Sequence, residues 1–157
     1  MEIIVPKKED IFLCAEVYIS AYGAKPWNEV YKKSSVEKYI GDYLGSETKQ
    51  CFAAKENGKI IGIALCIVVP AMDMPFLRVE DFCVSAEEQG KGFGTEFIKL
   101  VFEKAKELGC DSVLLGTQKD FPSHRFYLKN DFEFLDKDSQ EVDDETATLY
   151  FNLNSMS

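Results

Sequence analysis

The chain has 157 residues, 46% of them hydrophobic and 29% charged, with 18 Lys and Arg against 27 Asp and Glu for a net charge of −9. That length suits one domain, residues 1–157, with a full core; the acidic balance argues against a nucleic-acid partner, and the longest apolar run, "IIGIALCIVV", stops at Pro70, short of the ~20 residues a membrane helix needs. "MEIIVPKKED" has no secretory signal pattern, and Cys14, Cys51, Cys66, Cys83 and Cys110, odd in number and mostly set among apolar residues, read as reduced core residues of a cytoplasmic protein; with one histidine, no metal site is expected.

In chain order, "EIIV" (2–5) predicts a first strand. "EDIFLCAEVYISAY" (9–22) has helical apolar spacing, opening on acids that suit a helix N-terminus and closing at Gly23. "SSVEKYIGDYL" (34–44) predicts a second helix with a serine cap answered by Glu37. The period then changes: "CFAAKENGKIIGIALCIVV" (51–69) reads as two strands joined at Asn57-Gly58, a dipeptide suited to a tight hairpin. "FLRVEDFCV" (76–84) is the next strand. From Phe93, apolar residues at 97, 101, 105 and 108 step by three or four, and Gly109 supplies the stop. "SVLLG" (112–116) is a buried strand, "PSHRFYLKN" (122–130) a short helix with Pro122 near its start, and "FEFL" (132–135) pairs with "TATLYFNL" (146–153) as a closing hairpin. The result is an α/β (α+β) fold, a mixed sheet with helices packed on it.

Between the strand at 76–84 and the helix from Phe93 lies "QGKGFG" (89–94), with three glycines in five residues. A loop of this kind leaves main-chain N–H groups converging at a positive helix end, and glycine removes the Cβ that would hold a phosphate away. The spacing fits neither nucleotide pattern tested. Lys91 lies between Gly90 and Gly92 instead of following GxxxxG, and in GxGxxG the third glycine is replaced by Thr95. What remains is QxxGxG between a strand and a long helix.

Over Phe76 to Phe132 the chain resembles the GCN5-related N-acetyltransferase (GNAT) superfamily. "VEDFCVSAEEQGKGFGTEFI" is similar to that family's fourth strand, splayed turn and acetyl-CoA-binding helix, with Gln89, Gly92 and Gly94 on the motif. "VLLGTQKDFPSHRFYLKNDF" is similar to its fifth strand and following helix, with Tyr127 and Phe132 on the motif. The departures are Ala86 for a frequent proline, Asp120 for Asn, Ser123 for Ala and Asp131 for Gly; an ionised Asp120 can only accept hydrogen bonds where the amide would donate. "AKPWNE" and the helices around it resemble the acceptor-side region of some members.

The resemblance implies a mostly antiparallel sheet with helices on both faces and a splayed central strand pair. It also implies acetyl-CoA as co-substrate, transfer directly to a primary amine, and residue roles to match. Gln89, Gly90, Lys91, Gly92, Phe93, Gly94 and Thr95 would receive the pyrophosphate on main-chain N–H groups, with Lys91 adding charge and Asp120 nearby. Phe82, Cys83 and Val84 would flank the pantetheine arm, the N–H of Val84 polarising the thioester carbonyl. Tyr127 is the candidate acid for the leaving thiolate; the plain alternative is a core tyrosine beside Phe126. Glu80 is the candidate base, through water, and by two-residue alternation it would share a face with Phe82 and Val84 while Asp81 faces away with Cys83; an ordinary strand carboxylate is equally open. His124 and Cys83 read as packing residues.

The acceptor expected is a small cationic amine, such as a polyamine, amino sugar or aminoglycoside. "VEDFCV" resembles the spermidine/spermine acetyltransferase strand, and residues 131–145 hold eight acids against Lys137 alone, a run that serves equally as a solvated loop. A protein or peptide N-acetyltransferase and a catalytically silent acyl-CoA-binding module remain open, and the resemblance makes a homodimer plausible.

Overall fold

The computed structural model describes residues 1–136 and 145–156. Seven strands form one sheet: β1 (Glu2–Ile4), β2 (Lys49–Glu56), β3 (Lys59–Val69), β4 (Phe76–Val84), β5 (Ser112–Gln118), β6 (Glu133–Phe134) and β7 (Thr146–Asn152), in the order β1-β2-β3-β4-β5-β7-β6. Every neighbouring pair is antiparallel except β4 and β5. Four helices join them: α1 (Ile11–Gly23), α2 (Lys33–Gly41), α3 (Phe93–Glu107) and α4 (Pro122–Lys129). The mixed α/β architecture expected from the sequence is the one observed. Among the described residues, no helix is long and apolar enough to cross a membrane.

Local chemistry accounts for most element ends. Asn57 and Gly58 both take positive φ, 51° and 78°, the requirement of the hairpin turn that joins β2 to β3. Pro122 opens α4, where a missing N–H costs nothing. Two starts differ from the sequence reading. The acids Glu9 and Asp10 sit in a short 3-10 turn before α1, with Asp10 accepting from the Lys7 N–H at 2.8 Å. The second helix begins at Lys33 with Lys32 as its cap residue, so Ser34 is already inside the helix and no capping box with Glu37 forms.

Two apolar clusters cover the two faces of the sheet. One packs α3 and α4 residues, including Phe97, Val101 and Tyr127, on Phe52, Leu77 and Val79. The other packs α1 and α2, through Tyr18, Val36 and Ile40, on Ala53, Ile63 and Leu65. Alternate residues of β2 and β3 feed opposite clusters, which is why those strands read as nearly continuous apolar runs. Gly62 has a packing reason: a Cβ there would lie 2.9 Å from the Phe97 ring, so α3 can approach β3 only over a glycine. Fully burying Phe97 contributes about 1.5–3 kcal/mol. All five cysteines are free and buried.

The feature that shapes the site is where pairing stops. β4 and β5 run together only from Phe76↔Ser112 to Arg78↔Leu114. Beyond that β4 stays with β3 as far as Val84, and β5 stays with β7 as far as Gln118, so the two strands part and leave a gap. Within the same stretch the β3–β4 register slips between Leu65 and Cys66, whose partners are Asp81 and Val79. Glu80 is the extra residue of a β-bulge.

Candidate functional site

One wall of the gap is the loop after β4 and the first turn of α3. Ser85 sends its N–H to the Ile61 carbonyl at 2.8 Å, so by strand alternation the preceding N–H, that of Val84, faces the gap. The Val84 carbonyl accepts from the Gln89 side-chain amide at 2.9 Å, which straps the loop to the end of β4. Gly90 and Gly92 hold φ of 77° and 86°, a region costly for other residues, and a Cβ on either would project into open space. Gly92 is the cap residue of α3 and has no side chain to satisfy the helix end. The helix's first bond runs from the Glu96 N–H to the Gly92 carbonyl at 3.3 Å, leaving the N–H groups of Phe93, Gly94 and Thr95 outside the helical ladder.

This geometry fits a pyrophosphate: open space, converging N–H groups and the positive end of a 15-residue helix. Gly94 answers a different demand, since a Cβ there would meet the Phe126 ring at 3.2 Å. Two expected donors are partly engaged. Lys91 pairs with Glu88 at 3.0 Å, and the Gln89 N–H reaches the Ala86 carbonyl at 3.4 Å. Asp120 is exposed in the turn before α4 and is not among the residues lining the cavity described next, whereas Ser123 is.

The other wall encloses a cavity of about 420 Å³. Tyr18 and Tyr22 reach it from α1, one helical turn apart, and Trp27, Glu29 and Tyr31 from the loop after α1. Glu80, Asp81 and Phe82 supply the β4 side, Gly116 to Gln118 the β5 side, and Phe121 and Tyr127 the α4 side. The rings form a continuous train: Phe121 to Trp27 at 5.8 Å, Trp27 to Tyr22 at 5.4 Å, Tyr22 to Tyr18 at 4.6 Å and Tyr18 to Tyr31 at 5.5 Å. Among the described residues, the lining contains three carboxylates and neither lysine nor arginine.

Tyr127 is 7% exposed, packed edge-on to Phe82, Phe126 and Phe132, and it also lines the cavity. Burial, and after it the neighbouring Cys83, Cys66 and Asp81, push its phenol above the ordinary range, so it stays protonated at neutral pH. Asp81 accepts from the Tyr39 hydroxyl at 2.6 Å on one oxygen and from Tyr18 at 3.4 Å on the other. Burial raises its carboxyl; hydrogen bonds from Tyr39, Tyr22 and Tyr18 pull it back down, and Glu80 adds a smaller upward push. Glu80 is exposed and ion-paired with Arg78.

The bulge corrects one expectation. Leu77, Val79 and Phe82 all join the α3-side cluster, which unbroken alternation forbids, so Glu80 does not share a face with Phe82. Cys83 keeps its predicted face, packed in the α1/α2 cluster, and burial pushes its thiol up. His124 is buried, with Nδ1 2.8 Å from the Thr117 hydroxyl and its ring against Phe134; burial, and then Lys119, lower its pKa. Most of the acidic run, residues 137–144, lies outside the described residues.

Sequence reasoning passed over Tyr18, Tyr22, Tyr31, Phe121 and Asp81 as site residues. The usable signal was the i, i+4 pair Tyr18 and Tyr22, on the same helix face as apolar core positions and so indistinguishable from packing aromatics.

Three kinds of known protein are similar. The sequence model of the "Acetyltransferase (GNAT) family" matches residues 15–132. The tRNA(Met) cytidine acetyltransferase TmcA 2 of Saccharolobus solfataricus is 30% identical over 76 residues, a match taking in 41% of this chain and spanning only 10% of that protein. Among solved structures, a spermidine N-acetyltransferase SpeG chimera from Vibrio cholerae and hSSAT superposes with a TM-score of 0.74 at 12% identity, covering 98% of both chains. The PaiA N-acetyltransferase of Thermoplasma acidophilum, solved in complex with coenzyme A, superposes with a TM-score of 0.69 at 16% identity, covering 96% of this chain and 98% of that one. At these identities the two structures speak to the fold alone.

Proposed function

We propose that this chain, which belongs to the acetyltransferase (GNAT) family, acts as a single cytoplasmic domain that carries the acetyl group of acetyl-CoA directly to the primary amine of a small cationic molecule. The observation that carries the acceptor class is the lining of the roughly 420 Å³ cavity, which among the described residues holds six Tyr, Trp and Phe rings beside Phe82, three carboxylates, and neither lysine nor arginine. Aromatic faces and carboxylates both attract an ammonium group and repel an anion. The spermidine acetyltransferase chimera of like fold is consistent with this class, and the net charge of −9 makes a nucleic-acid acceptor unfavourable.

The donor binds along the gap, its pyrophosphate on the N–H groups between Gly90 and Thr95 and its pantetheine arm beside Phe82 to Val84. Acetyl-CoA supplies an activated thioester carbonyl. The Val84 N–H faces the gap and donates to the carbonyl oxygen as charge develops on it. Tyr127, protonated and buried, gives its proton to the departing thiolate sulfur. The carboxylates at the β4 bulge, Glu80 and Asp81, supply the base that the acceptor ammonium requires.

A panel of amines incubated with acetyl-CoA and followed by CoA release tests the reading. Diamines, amino sugars and aminoglycosides are expected to turn over well ahead of neutral amines and lysine-containing peptides. Turnover confined to peptides or neutral amines would overturn the acceptor class, and no turnover with any acceptor, with acetyl-CoA still bound, would favour a binding module.

A further inference from the structure

We propose that Asp81, oriented by the phenols of Tyr18 and Tyr39, is the catalytic residue that holds the acceptor's ammonium group and takes its proton. This rests on the acetyl-transfer reading above and assigns a role that the sequence pattern had given to Glu80. Three observations separate the two neighbours.

First, the bulge breaks alternation, so consecutive carboxylates both line the cavity. Second, Glu80 already has a cation, Arg78, whereas the partners of Asp81 among the described residues are phenols. Third, Asp81 accepts from Tyr39 on one oxygen and Tyr18 on the other, with Tyr22 also directed at it, while an ionised carboxylate has about four acceptor positions, which leaves room for an ammonium donor. A half-buried carboxylate with only phenols for partners among the described residues gains from a cationic ligand.

Among the described residues that line the cavity there is neither lysine nor arginine, and Arg78 is engaged by Glu80. Tyr18 and Tyr22 face Asp81 from α1 and Tyr31 from the following loop; Tyr39 and Tyr43 come from α2, and Tyr127 from α4. Cys66 on β3 and Glu80 and Cys83 on β4 also face it. Burial raises the carboxyl above its ordinary range against the downward pull of the phenols, which favours a group that must accept a proton.

The protons balance. One N–H bond of the ammonium breaks, its electron pair stays on nitrogen, and the proton passes to an Asp81 oxygen. The neutral amine then attacks the thioester carbonyl carbon and the C–S bond breaks, with sulfur taking the phenolic proton of Tyr127. A second N–H proton, lost as the amide forms, restores Tyr127. The proton on Asp81 leaves to solvent after the product.

The test is kcat against pH, with acetyl-CoA and 1,4-diaminobutane, for the wild type, Asp81→Asn, Glu80→Gln and Tyr39→Phe. Asp81→Asn is expected to lower kcat by about 10²–10⁴-fold and abolish the acid limb, while Glu80→Gln retains that limb. Tyr39→Phe removes a donor to the charged carboxylate, so its acid limb moves to higher pH. Tyr39 is 37% exposed, so this variant tests the assignment without opening the core. An acid limb that survives in Asp81→Asn, disappears in Glu80→Gln or stays in place in Tyr39→Phe would overturn it. If the wild type acetylates a lysine-containing peptide but no small amine, the small-amine reading fails, and the same profiles measured on the peptide decide the role of Asp81.

Discussion

On one side of the β4–β5 gap, a single run of chain from Val84 to Thr95 offers main-chain N–H groups held by two left-handed glycines. On the other, side chains from α1, the loop after it, β4, β5 and α4 converge on one cavity. The first wall depends on backbone conformation, held by the two glycines and by the Gln89 side chain on the Val84 carbonyl. The second depends on ring faces and carboxylates whose positions are set by elements far apart in the chain. Substitutions should therefore split by substrate, with the first wall altering use of acetyl-CoA and the second altering use of the amine.

Tyr127 stands where the walls meet and should break the split. Tyr127→Phe is expected to lower kcat by about 10²–10⁴-fold with both KM values nearly unchanged, because it removes the proton donor and little volume. Steady-state kinetics with each substrate varied in turn would show this; an unchanged rate with acetyl-CoA still bound would remove Tyr127 from the mechanism.

Gly92→Val should raise KM for acetyl-CoA by roughly tenfold while sparing that for the amine. Left-handed φ costs a side-chain-bearing residue about 1–2 kcal/mol, and the new Cβ would project into the cradle. Trp27→Ala should do the reverse, raising KM for the amine severalfold, in keeping with about 0.5–2 kcal/mol for a cation over an aromatic face. If either variant affected both substrates equally, the two-wall division would be wrong.

The smallest expected effect is on stability. Burial leaves the Asp81 carboxyl raised in the folded chain despite its phenol partners. A raised group contributes stability that is fully present below its unfolded value of ~3.9 and lost as pH rises through the folded value. Asp81→Asn should therefore melt at a higher temperature than the wild type at neutral pH, and the difference should close toward pH 4. A lower Tm at neutral pH would mean that the phenols outweigh the burial.

How much could be read in advance follows the same division. "QGKGFG" and Tyr127 were legible because a strand, a glycine loop and a helix lie consecutively in the chain, and left-handed φ leaves its mark in composition at the residue that adopts it. The Asn57-Gly58 turn was legible for the same reason. Ser34 failed as a cap because the helix starts at Lys33, before it, and both start positions are compatible with the pattern. Glu80 was placed on the wrong face because a bulge adds one residue to one strand, and period-two reasoning has no way to detect the insertion.

By itself, then, the sequence determined the order of strands and helices, the glycine cradle and the family, all of which depend on residues close in the chain. The tertiary structure alone decided which carboxylate faces the tyrosines and that Tyr22, Trp27 and Phe121 share one cavity. Those facts depend on strand register and on the packing of α1 against β4. Both are set by contacts between residues some sixty positions apart, such as Tyr18 and Asp81, and they leave no local pattern to read.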